Sequence, residues 1–162
     1  MFILAQNTTQ FKAIASLAEE IWTEHYTPII GISQVQHMLT TFQSAEAITQ
    51  QIQEHRYLYY LIVSESKNIG YFAIQEKNPR LFLSKLYIKK ELRGSGFGKK
   101  AIGFIINYAK NQDLKKIYLT VNKENSTSIT AYKKLGFLTT GTQIIDIGNG
   151  FVMNDNIMEL VI

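Results

Sequence analysis

The chain has no cysteine in 162 residues. Disulfides, thiolate metal sites and a covalent cysteine intermediate are therefore excluded. The absence suits the reducing cytosol, so a cytoplasmic location is expected. His25, His37 and His55 are the only histidines, and they lie too far apart for a metal-binding spacing. No metal is expected. No apolar run approaches the ~20 residues that a membrane helix needs. Met1-Phe2-Ile3-Leu4-Ala5 has no basic n-region and is too short for a signal peptide. No membrane partner is expected. Repeats, low-complexity segments and linkers are also missing, so residues 1–162 read as one domain. Hydrophobic residues make up 46%, which favours a packed core over disorder.

Acids are scarce in one region. Between Lys85 and Lys134 there are twelve Lys or Arg against Glu91, Asp113 and Glu124, whereas both flanking segments carry more acids than bases. A ligand bearing several phosphates would be drawn to such a field. An ordinary lysine-rich surface gives the same count. No nucleic-acid motif accompanies the charge, so nucleic acid is not an expected partner.

The basic block contains the most informative stretch. Leu81, Phe82, Leu83, Leu86, Tyr87 and Ile88 read as a buried strand. Then comes Arg93-Gly94-Ser95-Gly96-Phe97-Gly98-Lys99. From Gly98, apolar residues recur at helical spacing: Ala101, Ile102, Ile105, Ile106, Ala109. A helix start offers free N–H groups and positive dipole, and glycines admit a ligand to the backbone. Strand, glycines and helix together suit a phosphate or pyrophosphate. A P-loop is excluded, because Gly94 to Gly98 is one residue short and Lys100 stands where the metal-binding hydroxyl belongs. Gly96-Phe97-Gly98-Lys99-Lys100-Ala101 matches the dinucleotide pattern G-x-G-x-x-A. However, a basic segment separates strand from glycines, and too little chain follows for a doubly wound sheet.

Arg93-Gly94-Ser95-Gly96-Phe97-Gly98 resembles the Q/R-x-x-G-x-G/A signature of the GNAT superfamily, the N-acetyltransferases that use acetyl-coenzyme A. Asn125 through Tyr132-Lys133-Lys134-Leu135-Gly136-Phe137 resembles the second motif of that family. The resemblance implies an α/β (α+β) fold, with a mixed sheet of about seven strands and helices on both faces. It implies acetyl-CoA as co-substrate, held by the backbone of Arg93, Gly94, Ser95, Gly96, Phe97, Gly98 and Lys99. Leu86, Tyr87 and Ile88 would pair with the pantetheine arm, on a strand that splays from its neighbour. Asn125 would contact the cofactor or cap its helix. Tyr132 would give a proton to the leaving thiolate, since a phenol stays protonated at neutral pH. Many members use a glutamate base on the strand before the loop. Leu81-Phe82-Leu83-Ser84-Lys85 has no acid there, so the base is unassigned. Water held by Ser84, by Asn122 or by backbone carbonyls, or an acid on the acceptor wall, are the alternatives. Without cysteine, direct transfer in a ternary complex is expected.

The remaining elements follow from pattern. A strand spans Phe2 to Gln6. A helix capped by Thr8 or Thr9 follows and is ended by Tyr26-Thr27-Pro28; its apolar stripe runs through Trp22 and His25. Ile29 to Ile32 is read as loop, then two short helices span Ser33 to Phe42 and Ala45 to His55. A hairpin joins Tyr57–Glu65 to Ile69–Gln75, and a last hairpin joins Phe137–Ile147 to Gly150–Val161. The acids Glu19, Glu20, Glu24, Asp146, Asp155 and Glu159 would suit a small-molecule amine that is cationic. The Trp22 helix and the tail look similar to bacterial members that acetylate polyamines. Peptide N-termini and ribosomal proteins stay open as acceptors, as does a non-catalytic acyl-CoA-binding module. A homodimer is left open.

Overall fold

A computed structural model describes residues 1–162. The elements are β1 (Phe2–Leu4), α1 (Thr8–Ile30), α2 (Ile32–Phe42), α3 (Ala45–His55), β2 (Leu58–Ser64), β3 (Lys67–Lys77), β4 (Arg80–Ile88), a single 3-10 turn (Lys90–Leu92), α4 (Phe97–Asn111), β5 (Lys116–Asn122), α5 (Ser126–Lys134), β6 (Leu138–Gly148) and β7 (Phe151–Val161). The seven strands form one sheet in the order β1-β2-β3-β4-β5-β7-β6. Only β4 and β5 run parallel, joined through α4; every other pair is antiparallel. This is the expected mixed sheet with helices on both faces.

Three local expectations were wrong. Pro28 does not end α1; it lies in the last turn, and the helix continues to Ile30. So close to a helix end the missing N–H removes one backbone bond, and the turn survives. Gly31, at φ +83°, makes the break instead, and Ile32 already belongs to α2 rather than to a loop. The cap of α1 is Asn7, whose Oδ1 accepts from Gln10 N at 3.0 Å, and not Thr8 or Thr9. An Asn side chain one residue earlier competes better for the free N–H groups.

Two apolar clusters flank the sheet. One packs Phe72, Ile74, Leu81 and Leu83 against Ile102 and Ile105 of α4, with Tyr132 of α5 and the following Leu135 at its margin. The other packs Tyr71 and Ala73 against Ile14, Ala18, Ile21 and Trp22 of α1 and Val35 and Ile48 of α2 and α3. Both follow from alternation along β3 from Gly70 onward: even residues Phe72 and Ile74 face α4, odd residues Tyr71 and Ala73 face α1.

On β4 that alternation is reset once. Ile74 pairs with Leu83, but Ala73 pairs with Lys85, so Ser84 is an extra residue, a β-bulge. Before it, odd residues Leu81 and Leu83 face α4. After it, even residues Leu86 and Ile88 do. Ser84 and Lys85 consequently both turn toward the α1 side, with Tyr87 beyond them. A second irregularity follows. β4 pairs with β5 only through Arg80, Leu81 and Phe82, against Lys116, Ile117 and Tyr118. Beyond Phe82 the two strands part, and β5 continues in register with β7 alone.

Candidate active site

The parting of β4 from β5 opens the sheet into a wedge, and two cavities meet there. On the α5 side lies a groove of about 450 Å³, lined by Leu86, Tyr87 and Ile88 of β4, Arg93, Gly94, Gly96, Gly98 and Lys99, and by Thr127, Ser128, Ala131, Tyr132, Lys134 and Leu135 around α5. Most of the residues expected to hold the cofactor are thus brought together. Ser95 and Phe97 are not on its wall; Phe97 packs against the α4-side core instead. Asn125 is buried and also off the groove wall. Its Oδ1 accepts from Ser128 N at 3.4 Å, capping α5, and faces His25 Nε2 at 3.2 Å.

The groove floor is set by local backbone. Gly94 and Gly96 adopt positive φ, and a Cβ on either would meet nothing within 4 Å. The space in front of the α4 N-terminus is therefore open, as an anion site requires. Arg93 Nε donates to Ile88 O at 3.0 Å and ties the loop to the end of β4. The opposite edge of β4 is held tightly: a Cβ at Gly70 would collide with the Tyr87 carbonyl oxygen and come 3.0 Å from Ile88 Cα.

A narrow neck leads from the groove through the wedge, between Leu83–Tyr87 of β4 and Leu119–Val121 of β5, past Tyr132. Tyr132 is half-buried among apolar groups and stacks edge-on against Phe137, with centroids 5.5 Å apart. Burial holds its hydroxyl above the ordinary tyrosine pKa, so it stays protonated. Across the neck, Tyr26 and Tyr87 share a hydrogen bond of 3.0 Å. Both hydroxyls are raised in pKa chiefly by burial.

Beyond the neck lies a second cavity of about 520 Å³ on the α1 side. Trp22, Tyr26 and Ile30 of α1, Met38 and Phe42 of α2, Tyr57, Phe82 and Tyr87 give it a mostly aromatic and aliphatic wall. The last hairpin closes the far side through Ile145, Ile147, Met153 and Asp155. It is pinned to α2 by Gln34 Nε2, which donates to Val152 O at 2.8 Å, and by His37, which donates from Nε2 to Ile147 O. The lining groups with acidic or basic side chains are His55, Lys77, Lys85 and Asp155, so Asp155 is the one carboxylate.

That corrects the acidic surface inferred from composition. Glu20 pairs with Lys89 at 3.3 Å, Glu24 with Lys90 at 3.5 Å, and Glu159 with Arg80 and Lys116. Glu19 and Asp146 do not reach the cavity; Asp146 accepts from Gly148 N within its own hairpin. Sequence alone could not distinguish an acid neutralised by a neighbour from one that lines a chamber.

Asp155 is 2% exposed. Burial raises its pKa to about 6, against the pull of Lys85. Lys85 is lowered to about 8 by burial, with Asp155 opposing. Its Nζ donates to Ser84 Oγ at 2.7 Å. His25, expected in the core, lines the cofactor-side groove, with its pKa lowered by burial and by Arg93. Its place on the helical stripe, four residues from Ile21, was the available signal.

A family model described as an acetyltransferase (GNAT) domain matches residues 18–154. A protein of Bacillus subtilis subsp. natto, named as a probable spermine N(1)-acetyltransferase, is 27% identical over 70% of this chain and 81% of its own length. Among solved structures, PaiA N-acetyltransferase from Thermoplasma acidophilum, in complex with coenzyme A, superposes with a TM-score of 0.80 at 20% identity, covering 100% of this chain and 99% of that one. Ribosomal-protein-alanine N-acetyltransferase from Brucella melitensis superposes with a TM-score of 0.73 at 15% identity, covering 100% and 99%. At those identities the structural likeness speaks for the fold alone.

Proposed function

The chain belongs to the GNAT acetyltransferase family, with acetyl-CoA as the acetyl donor, and from that premise we propose that it acetylates a small primary amine by direct transfer in a ternary complex. The observation that carries this reading is the meeting of two cavities at the β4–β5 wedge. A long donor fits the groove, a short acceptor fits the aromatic chamber, and the neck is where they react. The unpaired edge of β4 from Leu83 to Ile88 supplies backbone N–H and C=O groups to the pantetheine arm. The N-terminus of α4, with Arg93 and Lys99, holds the pyrophosphate. The amine attacks the thioester carbonyl, the C–N bond forms, and the C–S bond breaks. Tyr132, which lines both groove and neck, gives its proton to the departing sulfur.

Within the class of small amines, a polyamine is supported by the relative named for spermine and by the size of the chamber. The apolar wall and single carboxylate suit a terminal ammonium on an aliphatic or aromatic body. A ribosomal or peptide acceptor is the competing reading, since the fold also superposes on an enzyme of that name. Release of coenzyme A thiol should be measured over spermidine, spermine, alkyl and aryl monoamines, and peptides with free N-termini. Amine-dependent release supports the reading. Release only with peptides would move the acceptor to proteins. Calorimetric binding of acetyl-CoA without release for any acceptor would leave a non-catalytic binding module.

A further inference from the structure

Resting on that reading, we propose that Lys85 is the proton acceptor that readies the incoming amine, and that Asp155 steadies the lysine once it is charged. The strand before the glycine loop carries no acid. The bulge at Ser84 instead turns an amine into the neck. Lys85 lines the neck and the acceptor chamber together, so its nitrogen stands where an acceptor nitrogen must pass to reach the thioester. One of its N–H groups is engaged by Ser84 Oγ at 2.7 Å. As a neutral amine it keeps a lone pair for a proton. Asp155, brought from β7, is the one carboxylate on the chamber wall, and each group registers the charge of the other.

The other ionisable groups facing the chamber or the neck fit this division. Tyr26, Tyr57, Tyr87 and Tyr132 are all held above the ordinary tyrosine value by burial and stay neutral. Lys77 and His55 lie on the chamber wall but not on the neck. Burial brings Lys85 to about 8, close to working pH, where a general base is most effective. Asp155, near 6, is ionised there and lies further from the pKa of an alkylammonium.

The protons balance. The acceptor arrives as an ammonium and gives one proton to Lys85. The free amine attacks the carbonyl, and the C–S bond breaks. Tyr132 protonates the thiolate and recovers a proton from the new amide nitrogen. Lys85 returns its proton to solvent. Asp155 is a positioning residue here; it touches no reacting atom.

The test is the single-turnover rate against pH, with the panel amine that releases thiol fastest at saturation. The wild type should show an acid limb near 8. Lys85→Met and Lys85→Arg should each lower the rate about a hundredfold or more and abolish that limb. Asp155→Asn should move the limb to lower pH, because the carboxylate that favours charged Lys85 is gone. Acetyl-CoA binding serves as the folding control for all three. A Lys85→Met rate within a few-fold of wild type, with the limb intact, overturns the proposal. So does recovery of an acetylated Lys85 peptide from protein held with acetyl-CoA alone, which would make the lysine an acceptor. If no acceptor in the panel supports release from the wild type, the acetyltransferase reading falls as well, and the two failures are thereby separated.

Discussion

Gly96 is the position at which the grip on the donor can be broken most selectively. It is the N-cap of α4 at φ +87°, with open space where a Cβ would sit. Gly96→Ala forces a side chain into the left-handed region, which costs about 1–2 kcal/mol. A loop that relaxes away from this conformation must be drawn back on binding, so affinity for acetyl-CoA should weaken up to about thirtyfold. Gly96→Glu adds a carboxylate at the mouth of the anion site. At a separation of about 5 Å, repulsion by one phosphate charge is ~1 kcal/mol in water and ~3 kcal/mol at an effective dielectric of 20. With the backbone strain, the loss should be about 2–5 kcal/mol, roughly thirtyfold to several thousandfold. Calorimetric titration at low and at high salt separates the two parts, since only the charge component is screened. A folded Gly96→Glu protein that binds acetyl-CoA as tightly as the wild type would refute the loop as the pyrophosphate site.

Tyr132→Phe should lower turnover about a hundredfold while leaving acetyl-CoA affinity nearly unchanged; steady-state kinetics beside calorimetry decides it. Gly70→Ala must push β4 away from β3 at Tyr87 and Ile88. It should cost about 1–3 kcal/mol of stability and weaken acetyl-CoA binding, both readable from thermal melts with and without the donor. Asp155 has a folded pKa of about 6, above its unfolded value, so the native state prefers it protonated. Its ionisation therefore costs stability as pH rises from about 4 to about 6, and the loss, on the order of 3 kcal/mol at most, persists above. Asp155→Asn should accordingly melt higher than wild type at pH 7.5 and about equally at pH 4; equal melting at both would contradict it.

The fold was legible because its strands and helices carry strong, uncontested periodicities. Ala45 to His55, with Ser44 before it, is the helix that the spacing predicts. The glycine loop was legible because only positive φ and close backbone approach explain Gly94 and Gly96 together. The acceptor side was not. Whether Glu20 is free or paired with Lys89 depends on the 3-10 turn after β4 folding back over α1. Asp155 reads as one residue of an ordinary alternating strand, and only the parting of β4 from β5 makes it face a chamber. Lys85 was concealed by the bulge. In an unbroken strand it would share a face with Leu83, on the α4 side of the sheet.

The end of β4 is sensitive to residue number as well as residue type. Removing Ser84 would only restore regular alternation, leaving Leu86 and Ile88 on the α4 side and Lys85 on the chamber side. One residue inserted between Lys85 and Leu86 would instead rotate the rest of the strand by half a turn and carry Leu86 and Ile88 into the reaction chamber. The hairpin tip at Glu65 and Ser66 has no such bookkeeping: both residues are exposed and can absorb an insertion without turning any side chain over.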